Sequence, residues 1–179
     1  MKELMLRRRA LMMGMTNRIN NLFDYNELSF VSASGAAGSI MLSSNSITFK
    51  SVDSSSGAIY FYTGNKLELK PNTTYTSKCK VICVNNGSPS LTGAGTMVLS
   101  LLVQDAKAWG TTKFYLVDGY TASSKSGKAG TYEIYTKFTT PADLSTYKYI
   151  VARLSALTEV TFDNLILVEG DYNKDNFPI

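Results

Sequence analysis

Few side chains in this sequence can do chemistry, and what is missing is as informative as what is present. No histidine occurs among the 179 residues. That excludes Ser-His-Asp and Cys-His catalysis and histidine-ligated metals. There is no phosphate-loop signature. Glycoside hydrolysis needs two carboxylates held about 5 to 9.5 Å apart across a cleft. Glu68, Asp105, Asp118 and Glu133 are available, but nothing in the sequence pairs any two of them, so no enzyme is expected. Cys79 and Cys83 lie four apart. In a strand they share a face about 13 Å apart at ~3.3 Å per residue, beyond the roughly 7 Å that a disulfide spans. Two buried, reduced thiols are expected. With no His and no third Cys, zinc lacks ligands.

Three other groups remain. Asp163-Asn164 interrupts an apolar run of Val160, Phe162, Leu165 and Leu167. Such a pair makes a turn or bulge with local hydrogen bonds. Tyr60 and Tyr62 share one face of a strand, Ile59 and Phe61 the other, and Trp109 stands in a loop beside Gly110. A Tyr or Trp ring on a cleft stacks on a sugar and offers a polar edge. The core or a subunit interface is the commoner fate of such rings. If a ligand is bound, Trp109, Tyr60 and Tyr62 are the candidates. Arg7, Arg8 and Arg9 form a basic cluster. Three charges alone give weak, salt-sensitive binding to nucleic acid.

The charge is localised. Residues 1–20 carry five basic side chains against one acidic, which leaves 13 of each sign in residues 21–179. A nucleic-acid binder spreads a basic face over its folded body, so no nucleic-acid partner is expected. No stretch approaches the ~18 apolar residues of a membrane span, and the first apolar run is too short for a secretion signal. Synthesis and retention in a cytoplasm before assembly is expected, with no membrane partner.

The elements that must position these residues are mostly strands. Residues 2–22 read as a helix, because Leu4, Leu11, Met15, Ile19 and Leu22 make one apolar stripe. A helix this short cannot bury that stripe alone, so it needs a partner surface. Residues 26–46 are rich in Ser, Gly and Ala and read as a loop or loose edge. Strands are expected at 47–50, 58–62, 67–70, 74–84, 96–103, 113–117, 130–139, 148–154 and 159–168, with one helical turn near 142–145. About nine short strands with Gly, Asn and Pro turns mean a sandwich or barrel. The expected division is a helix over 1–22 and a β-domain over 23–179.

Three segments in order carry a family likeness: 67–76 (LELKPNTTYT), 138–149 (FTTPADLSTYKY) and 159–170 (EVTFDNLILVEG), preceded by 21–24 (NLFD). Together they resemble the jelly-roll β-sandwiches of the carbohydrate-binding-module type that recur in phage tail and fibre proteins. The opening residues MKELMLRRRALM also resemble the start of structural proteins of phages of gut bacteria. The likeness implies a mainly β, jelly-roll sandwich behind an N-terminal α-helix. It also implies a structural calcium tying the first segment to the last strand. Asp24 and Asp163 are the carried-over ligands, since carboxylates and carbonyls suit an ion taking six to eight oxygens. Here Asp24 is followed by Tyr25-Asn26, where the family has a glycine-rich continuation. No other cofactor is expected.

The expectation is therefore a non-enzymatic virion protein made in the host cytoplasm. Leu4, Arg7, Arg8, Arg9, Leu11, Met15 and Ile19 would dock the helix on other virion proteins, and copies of the chain, a trimer included, would be further partners. The alternative is an adsorption module that recognises host surface glycan.

Overall fold

A computed structural model describes residues 21–35, 37–51, 57–62, 67–85, 100–104, 113–118, 130–147, 149–154 and 158–178. The expected helix falls almost wholly outside them. Its last two residues, Asn21 and Leu22, are not helical, and they are hydrogen-bonded to the final strand. Among the described residues no helix is long and apolar enough to cross a membrane.

Ten strands are present among the described residues, one more than expected. They are β1 (Ser29–Gly35), β2 (Ala37–Leu42), β3 (Ser46–Ser51), β4 (Gly57–Tyr62) and β5 (Thr74–Asn85). Then follow β6 (Ser100–Gln104), β7 (Lys113–Val117), β8 (Gly130–Thr139), β9 (Tyr149–Leu154) and β10 (Thr158–Glu169). Sheet I has the order β1-β4-β9-β6-β7 and sheet II the order β2-β3-β10-β5-β8. Every ladder is antiparallel. The result is a mainly β, two-sheet sandwich.

Two expectations about elements need correction. The Ser/Gly/Ala-rich stretch read as a loop or loose edge contains two regular edge strands, β1 and β2. Their own residues favour strands weakly, but β4 and β3 supply complete pairing partners. Conversely, 67–70 is not a strand. The Leu69 amide turns back to the Leu67 carbonyl at 2.8 Å, and the Lys70 amide donates to the Tyr75 hydroxyl at 2.8 Å. Pro71 and the left-handed Asn72 (φ 50°) then reverse the chain into β5. Where one helical turn was expected near 142–145, the chain instead makes a non-helical turn over 144–147, with the Tyr147 amide donating to the Leu144 carbonyl.

Strand alternation builds the core. β5 turns Tyr75, Ser77, Cys79, Val81 and Cys83 inward, all buried, while Lys78, Lys80 and Val84 face outward. β8 adds Ile134, Thr136 and Phe138, and β3 adds Ile47 and Phe49. Each such large apolar side chain contributes roughly 1.5 to 3 kcal/mol on leaving water. Phe138 stacks on Phe114 of β7 (4.8 Å) and on Tyr75 (5.7 Å), joining the sheets through ring contacts. The same side is sealed by hydrogen bonds from Ser77 Oγ to the Leu116 carbonyl and from the Asp118 amide to Thr136 Oγ1.

Cys79 and Cys83 are both free and both in the core. Burial pushes both thiols up from their ordinary range, which keeps them in the unreactive protonated form. Native protein at pH 8 should therefore leave an aromatic disulfide reagent almost unreacted, while protein unfolded in urea should titrate two thiols. Rapid reaction of both thiols in native protein would contradict this packing.

Candidate functional site

The Asp163-Asn164 pair is a bulge. Asp163 pairs with Lys80 and Ile166 with Lys78, so β10 carries one extra residue against β5. Asn164 takes a left-handed conformation (φ 50°), which Asn tolerates better than most residues. The bulge reverses the phase of the strand. Val160 and Phe162 point into the core before it, Leu165 and Leu167 after it.

The bulge also ends the pairing of β10 with β3, whose register stops at Asp163 opposite Ser46. Residues 21–25 take over that side. Asn21 Nδ2 donates to the Leu165 carbonyl at 3.0 Å, and Asn21 Oδ1 accepts from the Leu167 amide at 2.9 Å. The Leu22 amide donates to the Leu167 carbonyl at 2.9 Å. The Tyr25 hydroxyl donates to the Phe162 carbonyl and accepts from the Leu165 amide, both at 3.1 Å. The Asn164 amide donates to the Asn45 carbonyl at 2.9 Å. The backbone groups of Phe162, Leu165 and Leu167 and the Asn164 amide thus find partners where the ladder to β3 has ended. The first described segment is tied to the last strand by an amide and a phenol.

The proposed calcium ligands have other contacts. Asp24 Oδ1 caps the short 3-10 turn Tyr25–Glu27, accepting from the Asn26 amide (2.9 Å) and from Asn26 Nδ2 (2.8 Å). Asp163 faces Lys80 at 3.4 Å and accepts from Asn164 Nδ2 at 2.8 Å. Among the described residues, no three Asp, Glu, Cys or His side chains gather as a metal-binding group. A calcium site at Asp24 and Asp163 would have to compete with these contacts.

The outer face of sheet II is a ladder of opposite charges. Lys78 meets Glu133 at 2.9 Å, Lys80 meets Asp163 and Lys50 meets Glu159 at 3.8 Å, while at the end of the strand, on the side of Tyr75, Lys70 meets Glu169 at 2.7 Å. Such exposed pairs are worth about 0 to 1 kcal/mol each. The Lys78 hydrogen bond holds Glu133 below its usual range. The C-terminal tail covers one end of this face. Thr76 Oγ1 donates to the Gly170 carbonyl and accepts from the Tyr172 amide. Phe177 then packs edge-on to Tyr135 and Tyr172. Gly170 is required there: its φ is +131°, and a Cβ would lie 2.5 Å from the Tyr172 ring.

Sheet I has a different outer face. Its register aligns Tyr60, Val151, Leu102 and Tyr115 in one cross-strand row. The next row aligns Tyr62, Tyr149, Gln104 and Lys113. Paired residues share a face, and these two rows lie opposite the core row of Ile150, Val103 and Phe114. Leu102, Val151 and Gln104 are nevertheless fully out of water. Sheet I is therefore buried on both faces at β6 and β9, whereas sheet II shows water one side. By backbone register the expected candidates Tyr60 and Tyr62 hold positions in these two rows, as do Tyr115 and Tyr149. Tyr149 was open to discovery only through pairing, because its own strand gives no sign of which strand lies beside it. Trp109 and the docking residues Leu4, Arg7, Arg8, Arg9, Leu11, Met15 and Ile19 lie outside the described residues.

No family model matches this sequence, and no curated protein matches it. Several solved structures are similar. A family 29 carbohydrate-binding module complexed with cellulohexaose is 11% identical, over 89% of this chain and 96% of that one, with a TM-score of 0.48. The N-terminal cellulose-binding domain of Cellulomonas fimi β-1,4-glucanase C is 12% identical, over 79% and 89%, at 0.45. A family 29 module from Piromyces equi is 12% identical, over 87% and 93%, at 0.39. No binding residue of those modules is carried over to this chain.

Burial pushes the Tyr25 hydroxyl well above the ordinary phenol range, with smaller contributions from Cys79 and Asp163. A raised acid contributes stability that is full below its unfolded value and is lost as pH climbs past it. For Tyr25 that loss begins near pH ~10, and for the raised Cys79 thiol near pH ~8.5. Urea midpoints should therefore fall steadily above about pH 8.5. Tyr25→Phe leaves the Leu165 amide and the Phe162 carbonyl without their partner, which should cost about 1 to 3 kcal/mol at pH 7. It should also flatten the pH dependence above about pH 10. An unchanged midpoint at pH 7 would rule out this role for Tyr25.

Proposed function

We propose that this chain is a non-catalytic carbohydrate-recognition sandwich whose ligand face is the outer side of sheet I. One observation carries this: pairing register collects Tyr60, Tyr62, Tyr115 and Tyr149 around Leu102 and Val151, on the face turned away from the core. Tyrosine suits sugar because its ring stacks on C–H faces while its hydroxyl meets the sugar's own hydroxyls. Neither cross-strand row contains a carboxylate, so the face offers recognition without an acid–base pair for cleavage. With Leu102 and Val151 out of water, a sugar would meet the surrounding tyrosine positions first. Trp109, which lies between β6 and β7 in the sequence, is a further candidate contact.

The test is affinity electrophoresis of the full chain in gels holding soluble polysaccharides, followed by a glycan array. Tyr60→Ala and Tyr62→Ala should each weaken retention about tenfold, or about 1.4 kcal/mol, with unfolding midpoints unchanged. Trp109→Ala should weaken it as well. No retention by any polysaccharide would overturn the proposal.

A second reading concerns how the sandwich is carried. The whole charge excess and the Leu4/Leu11/Met15/Ile19 stripe sit on residues 1–20, ahead of a neutral body. This, with the resemblance to phage structural proteins, supports a virion component docked by its N-terminal arm. Burial of the stripe would give affinity, and Arg7, Arg8 and Arg9 would steer and set register. Replacing Leu11 and Met15 with Asp should abolish incorporation into particles while the isolated protein keeps its unfolding midpoint. Normal incorporation of that variant would sink the docking role.

A further inference from the structure

The two sides of sheet II are finished differently. At the β8 side, β7 seals the sandwich through the Ser77 and Asp118 hydrogen bonds. At the other side β2 is terminal and pairs only with β3 among the described strands. A terminal strand presents backbone donors and acceptors that another strand can pair. Natural edges are blunted by Lys, Pro, extreme shortness or a covering segment. β2 reads Ala-Gly-Ser-Ile-Met-Leu over 37–42, with no charge and no proline. Met41 is 62% exposed and Leu42 44%, and only Val84 joins them as an exposed large hydrophobic among the described residues. Ser39 is also exposed.

We propose that β2 is an interface between two copies of this chain, paired antiparallel about a two-fold axis at the middle of the strand. A second copy fits for three reasons. An uncharged strand is matched by an uncharged strand, and an antiparallel edge pairing with itself is self-complementary. The body, with 13 acidic and 13 basic residues over 21–179, puts no net repulsion between copies. The pairing also lays Met41 and Leu42 of each copy opposite Gly38 and Ala37 of the other, which takes part of the strand's most exposed apolar side chains out of water. Sheet II then continues from one copy into the next as a single sheet. This interface is independent of the sugar-binding proposal, since it lies on the other sheet.

Sedimentation velocity of the full chain from about 1 to 200 μM, with amide hydrogen exchange over 37–42, tests this. The expected result is a concentration-dependent dimer, with exchange over 37–42 slowing as the dimer forms. Met41→Lys puts the usual edge blocker on β2 and should weaken dimerisation at least tenfold with an unchanged unfolding midpoint. Ser39→Lys, offered as the second variant, should do the same. A monomer throughout the range would overturn the proposal, as would slow exchange over 37–42 in a monomer, which would mean that the chain covers its own edge. So would an oligomer that neither lysine affects but that Leu11→Asp with Met15→Asp dissolves, since the N-terminal arm would then be the interface.

Discussion

The whole sandwich turns on one extra residue in β10. That strand lies at the centre of sheet II, between β3 and β5. The bulge at Asp163-Asn164 lets its two halves both send apolar residues to the core, although their sequence spacing is out of phase. A bulge leaves backbone groups without ladder partners, and in a buried strand each such group costs about as much as a lost hydrogen bond. Asn21, Leu22, Tyr25 and Asn45 meet those groups one by one. This fixes where the chain enters the fold, because residues 21–25 must lie along 162–167. Phe23, Tyr25 and Leu28 are carried with them into the core, and the 3-10 turn Tyr25–Glu27 delivers the chain to β1.

The two sheets then diverge in character. Sheet II shows water a balanced ladder of ion pairs, the ordinary dress of an antiparallel sheet with one wet face. Sheet I has Leu102, Val151 and Gln104 buried on the side away from the core. Four consecutive residues of β6, Leu101 to Gln104, are all buried, which is the pattern of a strand covered on both faces. An outer face rich in tyrosine positions and closed to water at its centre differs in kind from the charged one behind it. That asymmetry gives the sandwich one candidate recognition face.

Much of this was legible in the residues themselves. The period-2 runs of β3, β5, β7, β8 and β10 sit within a residue or two of their expected bounds, since alternation in a half-buried strand is a local signal. The thiols of Cys79 and Cys83 fell in the core for the same reason. β1 and β2 were hidden because Ser, Gly and Ala favour no element, and only β4 and β3 make strands of them. The stretch 67–70 misled in the opposite sense, because its alternating Leu residues serve a turn held by the Tyr75 hydroxyl. Tyr60 and Tyr62 could be named as ring-bearing candidates, but nothing in the sequence said that Tyr149 pairs with Tyr62 or that Tyr115 falls in the cross-strand row of Tyr60.

The sequence by itself determined the class of the fold, the neutrality of its body, the confinement of charge to residues 1–20 and the absence of histidine chemistry. These follow from composition and from short-range periodicity, which need no knowledge of what lies across the sheet. Only the tertiary structure decided which strands neighbour one another, how the frame shifts at Asn164, and which side chains satisfy the bulge. Tyr25 and Phe162 are 137 residues apart, and no local pattern encodes a contact at that distance. The same holds for the tyrosine positions of sheet I, which come from three strands and fall into common rows only when pairing sets their register.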